Sequence, residues 1–346
     1  MTHAAGLTRL GLAVRIVVAA DLLAACGGRL EARELEVGPG KPYAVPSAAA
    51  AVARDGDTVT IAPGTYYDCA LWHANGLTIV GTGPDVGITD SACAGKAAFV
   101  IEGNNVVVRG LSFGRIRVMD GNGAGIRAEG RDLTVRDTRF VNNQIGILAG
   151  GQGGKLLIAD CSFSANGVSS DGQPTHAVSA GALDLLRIER SSFQQARGGD
   201  HIVSAALRTE LVDDRLSDEG GHMSGPLVAV TGGSVLLDHT TVYLDRTAAY
   251  RPGAILVTGD VSAIAVDGNT LVEPEGSVPL LRNWTWVTAT ETANIVPAKA
   301  SAVSDSGTLY HRLRGGIASL RNQMQEVKGV ARHQAARLAR ELNLIP

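Results

Sequence analysis

A short motif that recurs along the middle of the chain limits its fold more than any other feature. In each copy, apolar and polar residues alternate over four or five positions, and in the best copies a Phe follows after a bend. Copies begin at residues 77, 106, 133, 156 and 186, and weaker ones begin at 235 and 264. The Phe residues Phe113, Phe140, Phe163 and Phe193 are 27, 23 and 30 positions apart. Such alternation is typical of half-buried strands, so each copy predicts one β-strand.

A second set of short apolar runs lies between these copies, beginning at residues 99, 125, 146, 177, 202, 227 and 254. Each repeat therefore carries at least two strands. A period that varies between 23 and 30 favours β-helix coils, because extra residues can bulge out at the turns without disturbing the stack. The 43 Gly residues and the aromatic content of only 4% suit a core of small aliphatic side chains. We predict an all-β fold, a right-handed parallel β-helix solenoid over residues 34–296.

The two ends of a solenoid need covering, and the sequence offers a segment for each. An Ala-rich stretch at 47–53 predicts a short N-terminal capping helix before the turn, strand and turn of 55–66. Residues 297–346 predict a linker and an amphipathic C-terminal helix with seven Lys or Arg and two acids between 308 and 344, hence a charge of +5. Three roles stay open for this helix: covering the last coil, self-association with another chain, or binding anionic lipid.

Residues 1–26 read as an export signal, because Arg9 and Arg15 precede an apolar stretch at 16–25 that is too short to span a bilayer. The run Leu-Ala-Ala-Cys that ends at Cys26 resembles a lipobox, which would make Cys26 the site of lipidation. Cleavage between 25 and 33 without a lipid is the alternative. Both alternatives predict an exported protein that is periplasmic, secreted or lipid-anchored at the envelope, with no other membrane contact.

The remaining cysteines would then face oxidising conditions. Cys69 and Cys93 are 24 residues apart, which is about one coil, so they can lie side by side and form a disulfide. Two separate buried thiols are the alternative. Cys161 lies inside a strand-like run and is predicted to be a small core residue.

Several stretches resemble one protein family. The Asp-Gly-Asp at 55–57 followed by Pro-Gly-Thr-Tyr at 63–66 is similar to the opening coil of pectate-lyase-like β-helix proteins. From Cys69 onward the chain resembles the bacterial right-handed parallel β-helix repeat proteins that lack an assigned reaction. The resemblance covers residues 55–272 and rests on residues 122–126, 142–147, 175–176, 200–201 and 232–233. It implies the fold and export. The family pattern has basic residues after the second His, where this chain has Ser204, Ala205 and Ala206.

Two similar hexapeptides lie one repeat apart, Thr-His-Ala-Val-Ser-Ala at 175–180 and Asp-His-Ile-Val-Ser-Ala at 200–205. If they share a register, His176 and His201 stack about 4.8 Å apart on neighbouring coils, next to Asp200. A carboxylate beside a His can tune it for acid–base catalysis, so these three are the candidate catalytic residues. The alternative is a structural ladder whose ring nitrogens bind turn carbonyls. Only two metal ligands are placed by the repeat, so we predict no metal and no other cofactor.

The remaining candidates are ligand-binding residues. Asp171 and His222 lie in loops near the His pair, and Arg127 is expected to point outward from its strand. Together with arginines near the coil corners, Arg127 suggests a basic face for an acidic glycan; those arginines are Arg109, Arg136 and Arg187. The acidic run at 213–219 is predicted to be a solvated loop. Aromatic platforms for sugars are few: Trp72 in a predicted loop, Trp284 and Trp286.

A net charge of −3 gives no basic field for nucleic acid, which we exclude as a partner. Two functions stay open. The first is binding of a polysaccharide, with or without its processing, at the cell envelope along one long sheet. The second is a non-catalytic structural or interaction role with another envelope component. Neither the Ca²⁺ site of a lyase nor the paired carboxylates of a hydrolase is evident, so the sequence favours a protein without enzymatic activity and leaves a polysaccharide lyase or hydrolase as the alternative.

Overall fold

The computed structural model describes residues 32–151, 153–167, 175–221, 225–245, 251–274 and 277–305. The predicted signal peptide with Cys26, the candidate ligands Asp171 and His222, and the predicted C-terminal helix lie outside these ranges. In the part of the chain that is described, no helix is long and apolar enough to cross a membrane.

The described chain is a parallel β-helix, as the repeat predicts, and each full coil passes through three sheets, where the sequence predicted at least two strands. Sheet 1 contains β4 (Ala70–Trp72), β7 (Ala97–Ile101), β10 (Ala124–Ala128), β13 (Ile145–Ala149), β16 (Val178–Ala180), β19 (Ile202–Ser204), the first halves of β22 (Val228–Asp238) and β24 (Ile255–Asp267), β26 (Leu281–Asn283) and β28 (Val303–Asp305).

Sheet 2 contains β1 (Glu34–Val37), β2 (Thr58–Ile61), β5 (Thr78–Gly81), β8 (Val107–Arg109), β11 (Leu133–Arg136), β14 (Lys155–Ala159), β17 (Leu185–Glu189), β20 (Arg208–Val212), the second halves of β22 and β24, and β27 (Thr290–Thr292). Sheet 3 contains β3 (Gly64–Tyr66), β6 (Val86–Thr89), β9 (Ser112–Gly114), β12 (Arg139–Val141), β15 (Ser162–Ser164), β18 (Ser192–Gln194), β21 (Arg215–Ser217), β23 (Thr241–Tyr243) and β25 (Thr270–Val272). All the pairings within these sheets are parallel.

The recurring Phe forms a ladder through the interior of sheet 3. Phe113, Phe140, Phe163 and Phe193 are register partners, and their ring centroids are 5.4, 4.7 and 4.5 Å apart. Because in-register parallel strands place the same side chain at the same point of each coil, the last two pairs stack within 6° and 2° of parallel. The following coil, which is absent from the copies of the motif given above, has Leu216 at this position.

Each coil turns at three corners, which we number in chain order from the one between sheets 1 and 2. The second corner, between sheets 2 and 3, has two residues in most coils. Its first residue has a positive φ at Gly110, Asp137, Asp160, Arg190, Asp213, His239 and Gly268. Its second residue joins a ladder in which a side chain accepts a hydrogen bond from the backbone N–H one coil earlier: Cys161 N–H to Ser191 Oγ (3.1 Å), Ser191 N–H to Asp214 Oδ1 (2.8 Å), Asp214 N–H to Thr240 Oγ1 (3.3 Å) and Thr240 N–H to Asn269 Oδ1 (2.8 Å).

The second corner confirms one prediction from the sequence and contradicts another. Cys161 is buried, as predicted, and burial raises the pKa of its thiol to about 12. The prediction of a solvated loop at 213–219 was wrong for Asp214, which is 2% exposed, and for Asp218, which is equally buried. Both carboxyl groups are held by backbone N–H donors, which a string of acidic letters does not reveal.

The ends differ from the predicted boundaries. Helix α1 (Pro46–Ala50) is shorter than predicted and buries Ala49 and Ala50; its capping role stays a prediction. At the other end, β28 pairs with β26 in the segment predicted to be a linker after residue 296. Trp72 was predicted in a loop but lies in β4 with its side chain fully buried.

Candidate functional site

The third corner runs from each sheet 3 strand to the next sheet 1 strand, and it contains most of the candidate residues that the structure describes. It includes 67–69, 90–96, 115–123 and 142–144, and later the described residues 165–167, 175–177, 195–201, 218–221, 225–227, 244–245 and 251–254. Unlike the second corner, it varies in length from coil to coil. Cys69 and Cys93 lie in it on neighbouring coils and are joined by a disulfide, with 5.4 Å between their Cα atoms.

His176 and His201 do not stack, because the predicted register is wrong by one residue. Val178 pairs with Ile202, and the N–H of Val178 donates to the carbonyl of His201. His201 is therefore opposite Ala177, and His176 is opposite Asp200. A shift of one residue moves a side chain to the other side of a strand. The two imidazoles consequently belong to different ladders.

His201 points into the core at the end of the Phe ladder. Its side chain is 1% exposed and its ring centroid is 5.8 Å from that of Phe193. The ring Nε2 lies 2.8 Å from the carbonyl oxygen of Ser217. Burial lowers the pKa of His201 to about 4, so the ring is neutral at pH 7 and donates to that carbonyl. The alternative interpretation of a structural histidine therefore describes His201.

His176 and Asp200 continue the ladder of Ala97, Ala124 and Ile145. Those three apolar side chains pack in a cluster of their own, separate from the main core of the solenoid. His176 and Asp200 are both partly exposed. This ladder therefore brings an imidazole and a carboxyl group together on adjacent coils at the start of sheet 1, which is the pairing that the sequence prediction missed.

Two glycines close over this pair. A Cβ atom added at Gly199 would lie 2.8 Å from Nδ1 of His176, and one added at Gly225 would lie 2.9 Å from Oδ1 of Asp200. Neighbouring backbone therefore covers part of each group and leaves both residues partly exposed. Burial raises the pKa of Asp200 to about 7, although Arg251 opposes the shift. Burial also lowers the pKa of His176, against a hydrogen bond to the backbone of Asp200. Burial thus favours the uncharged form of both groups, an acid at Asp200 and a base at His176, on adjacent coils.

An ion pair within the third corner supplies the positive charge that acts on Asp200. Arg251 and Asp218 approach to 2.8 Å with side chains only 2% and 1% exposed, and the N–H of Asp245 donates to Asp218 Oδ1 at 2.7 Å. Burial raises the pKa of Asp218 and Arg251 opposes this. Sequence reasoning missed Arg251, because no motif surrounds it and only its distance to the preceding coil makes it relevant. Among the described residues, no three His, Cys, Asp or Glu side chains converge to hold a metal ion.

The arginines of the predicted basic face lie on two different sheets of the structure. Arg127 lies on sheet 1 and binds Glu129 at 3.0 Å, and Glu129 also binds Lys96 at 2.6 Å. Arg187 lies on sheet 2 and binds Glu189 at 3.0 Å and Glu210 at 2.6 Å. Carboxylates therefore neutralise both arginines.

Arg109 and Arg136 behave differently. They are direct register partners on the outer side of sheet 2, both are exposed, and neither forms a salt bridge with any residue that the structure describes. Like charges directly opposite each other on parallel or antiparallel strands destabilise a sheet. We therefore define Arg109 and Arg136 as the arginine pair, a local excess of positive charge on the solenoid surface.

Two grooves continue along the same face from the arginine pair. A groove of about 200 Å³ is lined by Arg136 and Arg187 and reaches Leu157. A second groove, of about 480 Å³, also reaches Leu157 and carries Arg131 and Lys155 together with two aspartates. The two meet at Leu157 and form a track across several coils of sheet 2.

No protein-family model matches the sequence, and no curated protein sequence is similar to it. The fold has solved counterparts. An alginate lyase from Paenibacillus sp. str. FPU-7 superposes with a TM-score of 0.52 at 12% identity, over 79% of this chain and 99% of that one. Pectate lyase Pel9A gives 0.49 at 14% identity, over 80% of each chain. Pectin methylesterase PemA from Erwinia chrysanthemi gives 0.40 at 10% identity, over 82% of this chain and 96% of that one.

Proposed function

The chain shares the parallel β-helix fold of pectate-lyase-like proteins, and from that premise we propose that it is an exported protein that binds an acidic polysaccharide along the outer side of sheet 2. The observation that carries this proposal is the arginine pair. Two exposed arginines lie on adjacent coils, whose strands are about 4.8 Å apart, and neither forms a salt bridge with a carboxylate among the described residues. A bound carboxylate or sulfate between them would relieve their repulsion and accept charge-assisted hydrogen bonds.

The grooves beside the arginine pair support the same proposal. They run along the solenoid axis, so a linear chain can contact several coils at once, and their walls mix basic groups and carboxylates with the apolar surface of Leu157. The alginate lyase counterpart is, by its name, an enzyme of an acidic polysaccharide. At 12% identity it supports only the fold, and the ligand class is proposed from the arginines.

Binding to polygalacturonate and alginate, measured by isothermal titration calorimetry, tests the proposal. The double variant Arg109→Ala with Arg136→Ala is expected to weaken binding about tenfold or more, and raising salt from about 0.05 to about 0.5 M should weaken binding of the intact protein. Arg139→Ala is the matched control, because Arg139 is an exposed arginine on sheet 3.

Equal binding by the double variant and the control would contradict the proposed surface. Absence of binding to any acidic polysaccharide would leave the structural or interaction role as the better account of the protein.

Export is part of the proposal and has its own support. The Cys69–Cys93 disulfide is of the kind that persists in oxidising compartments. The mass of the mature protein isolated from bacteria tests this: loss of residues 1–25 with a lipid on Cys26, or cleavage a few residues later, both support export. A full-length chain confined to the cytoplasm contradicts it.

A further inference from the structure

A groove on the outer side of sheet 3 lies on a different sheet from the arginine pair and on different coils from His176 and Asp200. Its volume is about 470 Å³, within the range of small-molecule sites. Thr65, Gly87 and Ser112, which are register partners on β3, β6 and β9, form its floor, and Tyr67 and Arg115 stand at its side. We call it the Tyr67 groove.

Two glycines that the fold does not require line the groove. Gly87 and Gly114 both lack a positive φ, and a Cβ atom added there would meet nothing closer than 3.9 Å and 3.5 Å. Gly81, by contrast, must be glycine, because a Cβ there would lie 2.1 Å from the carbonyl of Gly110. A glycine inside a strand costs about 0.5–1 kcal/mol. Unforced strand glycines often mark a place where a ligand approaches the backbone.

The side of the groove is an open aromatic ring. Tyr67 is 70% exposed, although most of its surface is apolar. Tyr243 occupies the same ladder position seven coils later, since Tyr66 and Val242 belong to one inward-facing ladder. Its ring is covered by the guanidinium of Arg215, 3.7 Å from the centroid. Of these two aromatic rings, that of Tyr67 therefore has a face open to a ligand, and that of Tyr243 does not.

Among the residues that line the groove, Arg115 is the one charged side chain, and Asp90 pairs with it. Arg115 donates two hydrogen bonds to Asp90, from Nε at 2.9 Å and from Nη2 at 2.6 Å, so its charge is neutralised by a fork-to-fork pair. The hydroxyl groups of Thr65 and Ser112 have no hydrogen-bond partner among the residues that the structure describes. Such a surface offers donors and acceptors without attracting an anion.

We propose that the Tyr67 groove binds a neutral sugar unit of a polysaccharide. The apolar face of a pyranose ring packs against Tyr67 and over Gly87, and its hydroxyl groups bind Thr65, Ser112 and the Arg115–Asp90 fork. This site is on a different sheet from the arginine pair and does not depend on the function proposed for it. The ligand class follows from an open aromatic ring, a glycine floor and neutral hydrogen-bonding groups acting together.

Titration of the full-length protein with cellohexaose, xylohexaose and mannohexaose, followed by calorimetry and by tyrosine fluorescence, tests the proposal. At least one of these neutral hexasaccharides is expected to bind, and Tyr67→Ala should weaken its binding about tenfold. Gly87→Leu should abolish binding by filling the floor, while the free energy of unfolding is kept or raised, since Leu fits the strand better than Gly.

Two matched controls separate a lost site from a disturbed fold. Tyr243→Ala removes a tyrosine from the same ladder position outside the groove, and Ser162→Leu adds a leucine at the ladder position of Gly87, three coils away. Both should bind as the intact protein does. The double variant of the arginine pair should also bind the neutral sugar normally.

No binding of any of the three neutral hexasaccharides, or equal binding by Gly87→Leu and Ser162→Leu, would overturn the proposal. Tighter binding of a hexagalacturonate than of the neutral sugars at this groove, abolished by Gly87→Leu, would also overturn the assignment of a neutral ligand.

Discussion

The second and third corners of the solenoid each bury a carboxyl group whose pKa is raised to about 7, yet their surroundings differ. Asp214 in the second corner accepts the N–H of Ser191 within a ladder that continues from coil to coil. Asp200 in the third corner is partly exposed, beside His176 and near Arg251. A displaced pKa therefore does not by itself mark a functional group. Access to solvent and a titrating neighbour distinguish the third corner.

The largest expected effect concerns proton transfer in the third corner, where catalysis by His176 and Asp200 stays a prediction. Any release of unsaturated uronates by the protein, followed by ultraviolet absorbance, should fall about 10²- to 10⁴-fold in Asp200→Asn or His176→Gln. Asp214→Asn should retain it, because that carboxyl faces the coil stack. Intact protein that releases no product from any acidic polysaccharide would remove the hypothesis, and equal loss in Asp200→Asn and Asp214→Asn would erase the contrast between the corners.

The next largest effect concerns the ion pair within the third corner. Arg251→Met leaves the buried carboxyl of Asp218 without its charged partner, which should lower the free energy of unfolding in urea by about 3–5 kcal/mol. Adding Asp218→Leu to the same chain should recover much of this loss, because two apolar groups then replace a buried pair. A single variant as stable as the intact protein would show that solvent reaches the pair.

A smaller effect concerns the second corner and depends on pH. The unfolded pKa of an Asp is about 3.9, and that of folded Asp214 is about 7, so the folded state holds an extra proton between these values. Asp214 therefore makes the protein most stable below about pH 4 and progressively less stable up to about pH 7. Asp200 acts in the same direction. His201, with a folded pKa of about 4, acts in the opposite direction, as does His176.

Asp214→Asn isolates the contribution of Asp214, since the amide keeps an oxygen for the Ser191 N–H. Relative to the intact protein, this variant should gain about 1–3 kcal/mol in the free energy of unfolding between pH 5 and pH 8. Urea titrations at both pH values measure it, with Asp213→Asn as the control on the neighbouring carboxyl. A difference between variant and intact protein that does not change with pH would show that Asp214 is ionised in the fold at both values.

The residues that could be predicted from the sequence are those that repeat. Phe113, Phe140, Phe163 and Phe193 follow a strand motif at a constant offset, and parallel in-register pairing turns that offset into a stack. The site could be predicted only in part, because similar hexapeptides suggested the wrong register for His176 and His201. Strand register here is set by backbone pairing with both neighbouring coils, and a hexapeptide carries no information about it.

By itself, the sequence determined that this chain forms a parallel β-helix, because alternating strands with a tolerant period can bury their apolar sides only by stacking. The tertiary structure alone decided which polar groups meet. It placed His201 in the core and His176 beside Asp200, put Arg251 against Asp218, and left Tyr67 open above a glycine floor. These neighbours come from different coils, and only the lengths and paths of the corners between them bring them together.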